Sequence, residues 1–525
     1  MRTSRALRDT WWIKQLEVPE PDVTALSNEV SGAHPVGQGW LVATMPAQVH
    51  DVLLAHGRIP DPRWGKNAAE SAWVGEKDWV YGHVFPTPES SDGLGRTGPV
   101  FLRFKGLDTL ATVYLNGEEV GHFENMHHAH TVEVREQLRS PGEDNVLILV
   151  FASPLRFVAQ TEPAEGIPAY HYIRKCRSDF TSYLGARPHA VKVGVFDDVV
   201  LDVPDRAWVE DVTVRSELAE DYSSAQVKVR AALRSAMRGA VGGGTSEADA
   251  ALELALTLTD PKGNLVLTSV VSLDEAVFEK SAVLNVEDPL LWWPRTHGAP
   301  NLYRLTVDLQ SGGERLDRHL VEFGIRQVAP VLIDPATGED RFAFEVNGQR
   351  IFLRGACWAP LQGMTHRWDD ERADQLLDLV EQGQMNVLRV WGGGAMPPDA
   401  FYQACDRRGI LIWQDFMFGY GMYPDDDPDF VANCRTEIAS VVRRLRNHPS
   451  LLLWCGGNEN HMGWDFAFGE EPTTGRALFE EVMPEICSQL DTDRLFHPSS
   501  PYGGPVPNWP LKGDWHDYTT LTFSP

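Results

Sequence analysis

Residues 451–460 read LLLWCGGNEN: five apolar residues run into two glycines and then into Asn458, Glu459 and Asn460. A run this apolar reads as a strand covered on both faces, as in a parallel sheet flanked by helices. Its far end then carries a carboxylate between two amides, on a glycine hinge. Burying an unpaired charge is costly, so Glu459 needs a partner or a task. Pairing with Arg389 or Arg354 would supply the partner. Catalysis would supply the task, and the neighbouring amide favours it, because Asn458 can hold a substrate hydroxyl while the acid reaches the scissile atom.

The sequence around this strand alternates in the same way. QRIFLRGACW (349–358) reads as a strand and DDERADQLLDLVEQGQ (369–384) as a helix with apolar positions 376, 377, 379 and 380. MNVLRVW (385–391), ILIWQDF (410–416) and LFHPSSP (495–501) read as further strands. The helices PPDAFYQACDRRG, DPDFVANCRTEIASVVRRLRNH and TTGRALFEEVMPEICSQLD fall between them. Successive βα units of this kind build a (β/α)8 barrel, whose active site lies at the C-terminal strand ends. The polar residues sit at those ends: Cys357-Trp358, Arg389 and Trp391, Gln414-Asp415, Asn458-Glu459.

Upstream the pattern is β throughout. Two alternating runs bracket Gly106 in GPVFLRFKGLDTLATVYLNGEEV, where Asn116-Gly117 predicts a hairpin turn. Residues 1–205 are read as a jelly-roll-like sandwich and 206–330 as an immunoglobulin-like sandwich, with GAVGGGTSEADA (239–250) a flexible loop. Residues 331–525 are read as the N-terminal part of the barrel, with five clear strands and GDWHDY (513–518) in place for a sixth.

Composition narrows the function. A net charge of −27 argues against nucleic acid and other polyanions as partners. Seventeen Trp, several beside turns or strand ends (Trp358, Trp391, Trp413, Trp454, Trp464, Trp515), suit stacking on sugar faces, though cores use Trp as well. The six cysteines show no C-x-x-C or Cys/His spacing and read as buried reduced thiols. With no apolar h-region at the start and no membrane-length apolar run, the expected location is cytoplasmic, with no membrane partner. No metal site or cofactor is called for.

The barrel segment resembles glycoside hydrolase family 2, and within it the β-mannosidase and exo-β-glucosaminidase branch. The matching words are RGACWAP (354–360), MNVLRVWGGG (385–394), CDRRGILIWQDFMFGYGMYP (405–424), RRLRNHPSLLLWCGGNEN (443–460) and HPSSP (497–501). Upstream, DPLLWWPRTHGAPNLY and FGIRQV resemble the family's link from sandwich to barrel, and NGEEVGH and RKCRSDF its N-terminal sugar-binding domain. The resemblance implies retaining hydrolysis of a terminal β-linked sugar from an oligosaccharide or glycoside, with Glu459 as general acid/base. It implies that Asn458 holds the 2-position substituent and that Arg389 supports an ionised nucleophile. Trp358, Trp391 and Trp515 would wall the pocket. Asp415 is either a pocket residue or a hydrogen-bond anchor; His516 either belongs to the site, at the end of strand six, or is merely satisfied at a strand edge.

Two departures matter. Retaining cleavage needs a second carboxylate about 5 Å from the first, which this family carries at the end of strand seven. No matching word follows GDWHDY, and fewer residues follow Ile351 than the about 250 of a complete barrel. The chain is therefore expected to be an incomplete copy of a longer enzyme, with its nucleophile absent. Asp465, Glu470, Glu471 and Asp514 lack the context to replace it. Secondly, the family's Trp-Asp-Trp word, whose Asp grips mannose, is replaced by Ser182, Tyr183 and Leu184, with Asp179 a displaced substitute. The complete enzyme is read as β-mannosidase-like, with exo-β-glucosaminidase the alternative. A non-catalytic carbohydrate-binding protein and a two-chain enzyme are the remaining alternatives. Oligomeric state is left open.

Overall fold

The computed structural model describes residues 2–32, 39–88, 98–181, 190–235, 252–273, 279–469 and 474–518. The loop at 239–250, Glu470 and Glu471, and Ser182, Tyr183 and Leu184 lie outside the described residues.

The chain opens with a β-sandwich of six-, four- and three-stranded antiparallel sheets. Strand Asp144–Phe151 lies at its centre, paired with Asp78–Pro86 and Ala111–Leu115. Leu147, Leu149 and Phe151 point into the sandwich core, while Val146, Ile148 and Val150 pack with Leu26 and Val30 of the helix Val23–Ser31. Covering on both faces is why this antiparallel strand reads as a continuous apolar run. The predicted Asn116-Gly117 turn joins Ala111–Leu115 to Glu118–Phe123, both turn residues having positive φ, 53° and 90°.

A second sandwich of three and four antiparallel strands follows, from Ala207–Leu218 to Glu314–Phe323. Strand Ser224–Ser235 alternates strictly, with Ala225, Val227, Val229, Ala231 and Leu233 inward. Trp292, fully buried, ties this part to the next by donating from Nε1 to Asp406 O at 2.9 Å.

The last part is a five-stranded parallel sheet: β1 (Gly355–Trp358), β2 (Val387–Val390), β3 (Leu411–Asp415), β4 (Leu451–Cys455) and β5 (Phe496–His497), in that spatial order. Helices α1 (Asp370–Gln382), α2 (Asp399–Arg408), α3 (Pro428–Leu445), α4 (Asn460–Phe468) and α5 (Met483–Leu490) alternate with the strands. In α1 the buried positions are Ala373, Leu377 and Val380, at helical spacing, and Leu379 is exposed. Gly409 ends α2 in the left-handed conformation, as its place in the sequence predicts. The hairpin of Asp340–Val346 and Gln349–Ile351 packs Phe344, Val346 and Ile351 against Leu411, Leu453 and Cys455 on the inner face.

Two expectations change. Residues 513–518 form no sixth strand; Asp514 makes only an isolated antiparallel bridge to Tyr502. Cys357 is an exposed thiol, unlike the other five cysteines, because it lies on the inner face of the open sheet beside Arg389.

Candidate active site

The polar strand tips converge above the sheet. Strand β4 ends at Cys455; Gly456 and Gly457 then carry the chain into Asn458 and Glu459. Asn458 continues the parallel sheet as isolated bridges to Gly419 and Ser500. Glu459 caps α4 with φ 57° and ψ 29°, a left-handed conformation that costs a non-glycine residue about 1–3 kcal/mol. Backbone bonds hold it there: Glu459 N donates to Ser500 O at 2.8 Å and Gly463 N to Glu459 O at 2.7 Å. Backbone strain of this kind clusters at active sites and ligand clamps.

Arg389 organises the site. Its guanidinium binds Asp415 through Nε (3.1 Å) and Nη2 (2.7 Å), Asn458 Oδ1 through Nη2 (3.0 Å) and His516 Nε2 through Nη1 (3.3 Å). Burial works against the charge, but Asp415 more than restores it, so Arg389 is held above its ordinary range. Asp415, fully buried, also accepts from Gly392 N at 3.0 Å. Its oxygens accept three bonds from protein donors, the geometry of a hydrogen-bond anchor. The pairing weighed for Glu459 with Arg389 or Arg354 is not formed, since Arg354 is turned to Gln384 O.

Glu459 takes two other partners, His516 Nδ1 at 2.9 Å and the Tyr518 hydroxyl, both on Oε1. His516 Nε2 lies 3.3 Å from Arg389 Nη1 and 3.1 Å from Ser500 Oγ, while Nδ1 faces Glu459. The segment 514–518 is pinned in turn: Asn508 Oδ1 accepts from His516 N at 2.8 Å, and Asp514 accepts from Ser500 Oγ at 2.6 Å and Tyr502 N at 2.9 Å. The Asp514 carboxyl, buried but bonded to His497 and Ser500, lies below its usual range. Asn458 Nδ2, buried with no partner, is the donor left over.

Arg389, Asp415, Asn458, Glu459 and His516 are thus brought together, and His516 joins the site from a loop. Trp391 stands at the tip of β2, buried edge-on to Tyr420. Trp515 is half exposed at 47%. Trp358 is a correction: it is 7% exposed and packs on Phe401 and Trp368 among the helices. Adjacent residues of a strand face opposite ways, so Cys357 takes the inner face and Trp358 the outer. Trp454 is core as well, stacked on Phe416.

Asp179 is the other correction. It is fully buried, bonded to Lys175 Nζ at 2.7 Å and to Lys192 Nζ, and faces His366 at 3.4 Å. Burial alone would raise its carboxyl, but the two ammonium groups hold it well below the usual range. Its oxygens face the two ammonium groups in the interior. Ligand atoms of Cys176, Asp179 and His366 do lie within 4.8 Å of one another. A cation there would face both ammonium groups and a thiol that burial pushes up to about 12, so the cluster fits an ionic seal between sandwich and barrel.

Sequence reasoning missed Tyr518, Ser500 and Asn508. The spacing of His516 and Tyr518, two residues apart and thus on one side of an extended chain, was the available signal for the first. Nothing local marks the others.

Three domain models match the chain: Glycosyl hydrolase 2 galactose-binding domain-like over residues 23–197, Glycosyl hydrolases family 2 over 207–326, and Glycosyl hydrolases family 2, TIM barrel domain over 340–497. Beta-mannosidase B of Aspergillus terreus is 32% identical over 505 residues, covering 92% of this chain and 57% of that protein. Its counterpart in Neosartorya fischeri is 33% identical over 506 residues, again 57% of the relative. The chain therefore spans little over half the length of these relatives. Among solved structures, a β-D-mannosidase from Dictyoglomus thermophilum superimposes with TM-score 0.86 at 29% identity, over 99% of this chain and 60% of that one. An exo-chitosanase from Amycolatopsis orientalis, 18% identical with TM-score 0.69, covers 95% of this chain and 53% of that one and shares the fold.

Proposed function

Because the chain belongs to glycoside hydrolase family 2, we propose that it carries the acid/base half of a retaining exo-β-glycosidase with β-mannosidase-like specificity. The observation that carries this reading is the pairing of Glu459, strained and oriented by His516 and Tyr518, with the unpartnered Nδ2 of Asn458. Glu459 would donate a proton to the glycosidic oxygen as that bond breaks. It would later take a proton from the water that releases the sugar. Asn458 Nδ2 would donate to the 2-position oxygen, while Arg389 holds the amide by its other end. The nucleophile is assigned to none of the described residues; Asp415 and Asp514 both accept from protein donors.

Mannose is favoured over glucosamine by the Beta-mannosidase B relatives. The test uses the native polypeptide that carries this chain, assayed on paired aryl β-mannoside and aryl β-glucosaminide. Mannoside hydrolysis with net retention, lowered about 10²–10⁴-fold by Glu459→Gln for a poor leaving group, is expected. Saturable sugar binding with no hydrolysis would replace this reading with a carbohydrate-binding one.

A further inference from the structure

Three side chains of the first sandwich reach the segment that suspends Asn458 and Glu459, and we propose that Arg177, with Arg174 and His171, positions the acid/base from outside the barrel. The inference rests on the glycosidase reading above.

The segment runs from Phe416 to Tyr423, after β3. Phe418 O accepts from Asn458 N at 2.9 Å, Tyr420 N donates to Asn458 O at 2.8 Å, and Gly421 O accepts from Asn460 Nδ2 at 2.9 Å. The backbone on both sides of Glu459 therefore hangs on this segment. The segment is neither strand nor helix, contains Gly419 and Gly421, and holds Tyr420 at φ 61°. Something outside it must fix its shape.

The first sandwich supplies that support. Arg174 Nη2 donates to Met417 O at 2.9 Å, Arg177 Nε to Gly419 O at 3.4 Å, and His171 Nδ1 meets Met422 O at 2.6 Å. Each group also stacks on a ring of the same segment. The Arg174 guanidinium lies 3.7 Å from the Phe418 centroid, and His171 is parallel to Tyr423 at 4.1 Å. Arg177 lies between Tyr170, at 4.1 Å, and Tyr420, at 5.3 Å. Ser178 N adds a bond to Gly393 O at 3.0 Å, beside the tip of β2. Arg174 is itself fixed by Glu437 of α3 through two bonds, at 2.7 and 2.8 Å.

These residues act through the backbone of 417–422, so they are positioning residues. A shift of the segment moves Asn458 and Glu459 together, and misplacement by about 1 Å at a reacting group costs about 10²-fold in rate.

The experiment compares phenyl and 2,4-dinitrophenyl β-mannosides with the native polypeptide and its Arg177→Met and Arg177→Lys variants. Departure of phenolate needs a proton from the acid, whereas dinitrophenolate leaves without one. A positioning role predicts that Arg177→Met lowers kcat/KM at least about ten-fold more for the phenyl substrate than for the dinitrophenyl one, whose smaller loss reports the displaced Asn458. Arg177→Lys, keeping a cationic donor but losing the planar stack, should fall between. Equal losses on both substrates, in both variants, would reduce Arg177 to a structural contact and overturn the inference, as would no loss on either. If the unmutated enzyme hydrolyses neither substrate, the glycosidase reading fails, and this inference with it.

Discussion

Glu437→Gln tests whether the barrel depends on the sandwich that props it. Glu437 and Arg174 form an ion pair whose side chains are each 1% exposed, and Glu437 also accepts from Asn125 Nδ2 at 2.9 Å. Removing one charge leaves the Arg174 guanidinium buried against an amide, a loss of about 3–5 kcal/mol. For a cooperative unit the size of the described barrel segment, that corresponds to a fall in Tm of about 6–20 °C. The chain has several units, so the assay follows the first transition by calorimetry, with and without the substitution. The pH dependence gives a second handle. Burial raises the Glu437 carboxyl, but Arg174 and its other partners pull it below its ordinary 4.5. A depressed carboxyl stabilises the folded state above its unfolded value and stops doing so as pH falls through its folded value. The gap between wild type and Glu437→Gln should therefore be constant near neutrality and close below about pH 4.5. Arg174→Met combined with Glu437→Leu, which removes both charges, should recover most of the stability. A single variant within about 1 kcal/mol of wild type at pH 7 would refute the reasoning, because it would mean the interface does not bury this pair.

Three further outcomes follow from the same geometry. Arg389→Lys loses the two-pronged bond to Asp415 and the bond to Asn458, and should lower kcat about 10²-fold with little change in Tm; unchanged kcat would show that Asn458 is held by its backbone alone. Gly456→Ala would put a Cβ 2.1 Å from Pro498 O, a backbone atom just past the end of β5, so destabilisation of about 1–3 kcal/mol is expected in denaturant titration. Asp179→Asn leaves Lys175 with Asp108 and takes from Lys192 the carboxylate it pairs with; it should cost about 3–5 kcal/mol at pH 7, less as pH falls below the ordinary 3.8. A rise in KM with stability intact would instead restore Asp179 as a sugar contact.

Much of the barrel is legible because its signals are local. The run 451–455 is apolar for a covered strand, the glycines follow at its end, and the amide-acid pair arrives where a parallel strand delivers its tip. The errors come from information that a linear reading does not hold. Cys357 and Trp358 were both placed at a strand tip, yet only register decides which faces inward, and the pairing of Cys357 with Arg389 settles it. Asp179 reads as an available carboxylate until Lys192 and Asp108, distant in sequence, come to Lys175 and its neighbours in the fold. The support from the sandwich is the extreme case, since Arg174 meets Met417 across 243 residues. One trace of it is visible in the sequence. His171, Arg174 and Arg177 recur every third residue in a segment with no strand pattern, and the structure makes 3₁₀ turns at Ala169–His171 and Arg177–Asp179. The two turns stand at the ends of this row, and Arg174 between them is held by a parallel bridge to Asn125. Two guanidinium groups and a buried imidazole need acceptors opposite, and the irregular segment supplies the carbonyls of Met417, Gly419 and Met422. The glycines and left-handed Tyr420 that let the 416–423 segment suspend the acid/base are also what leave its carbonyls free to be bound from the sandwich.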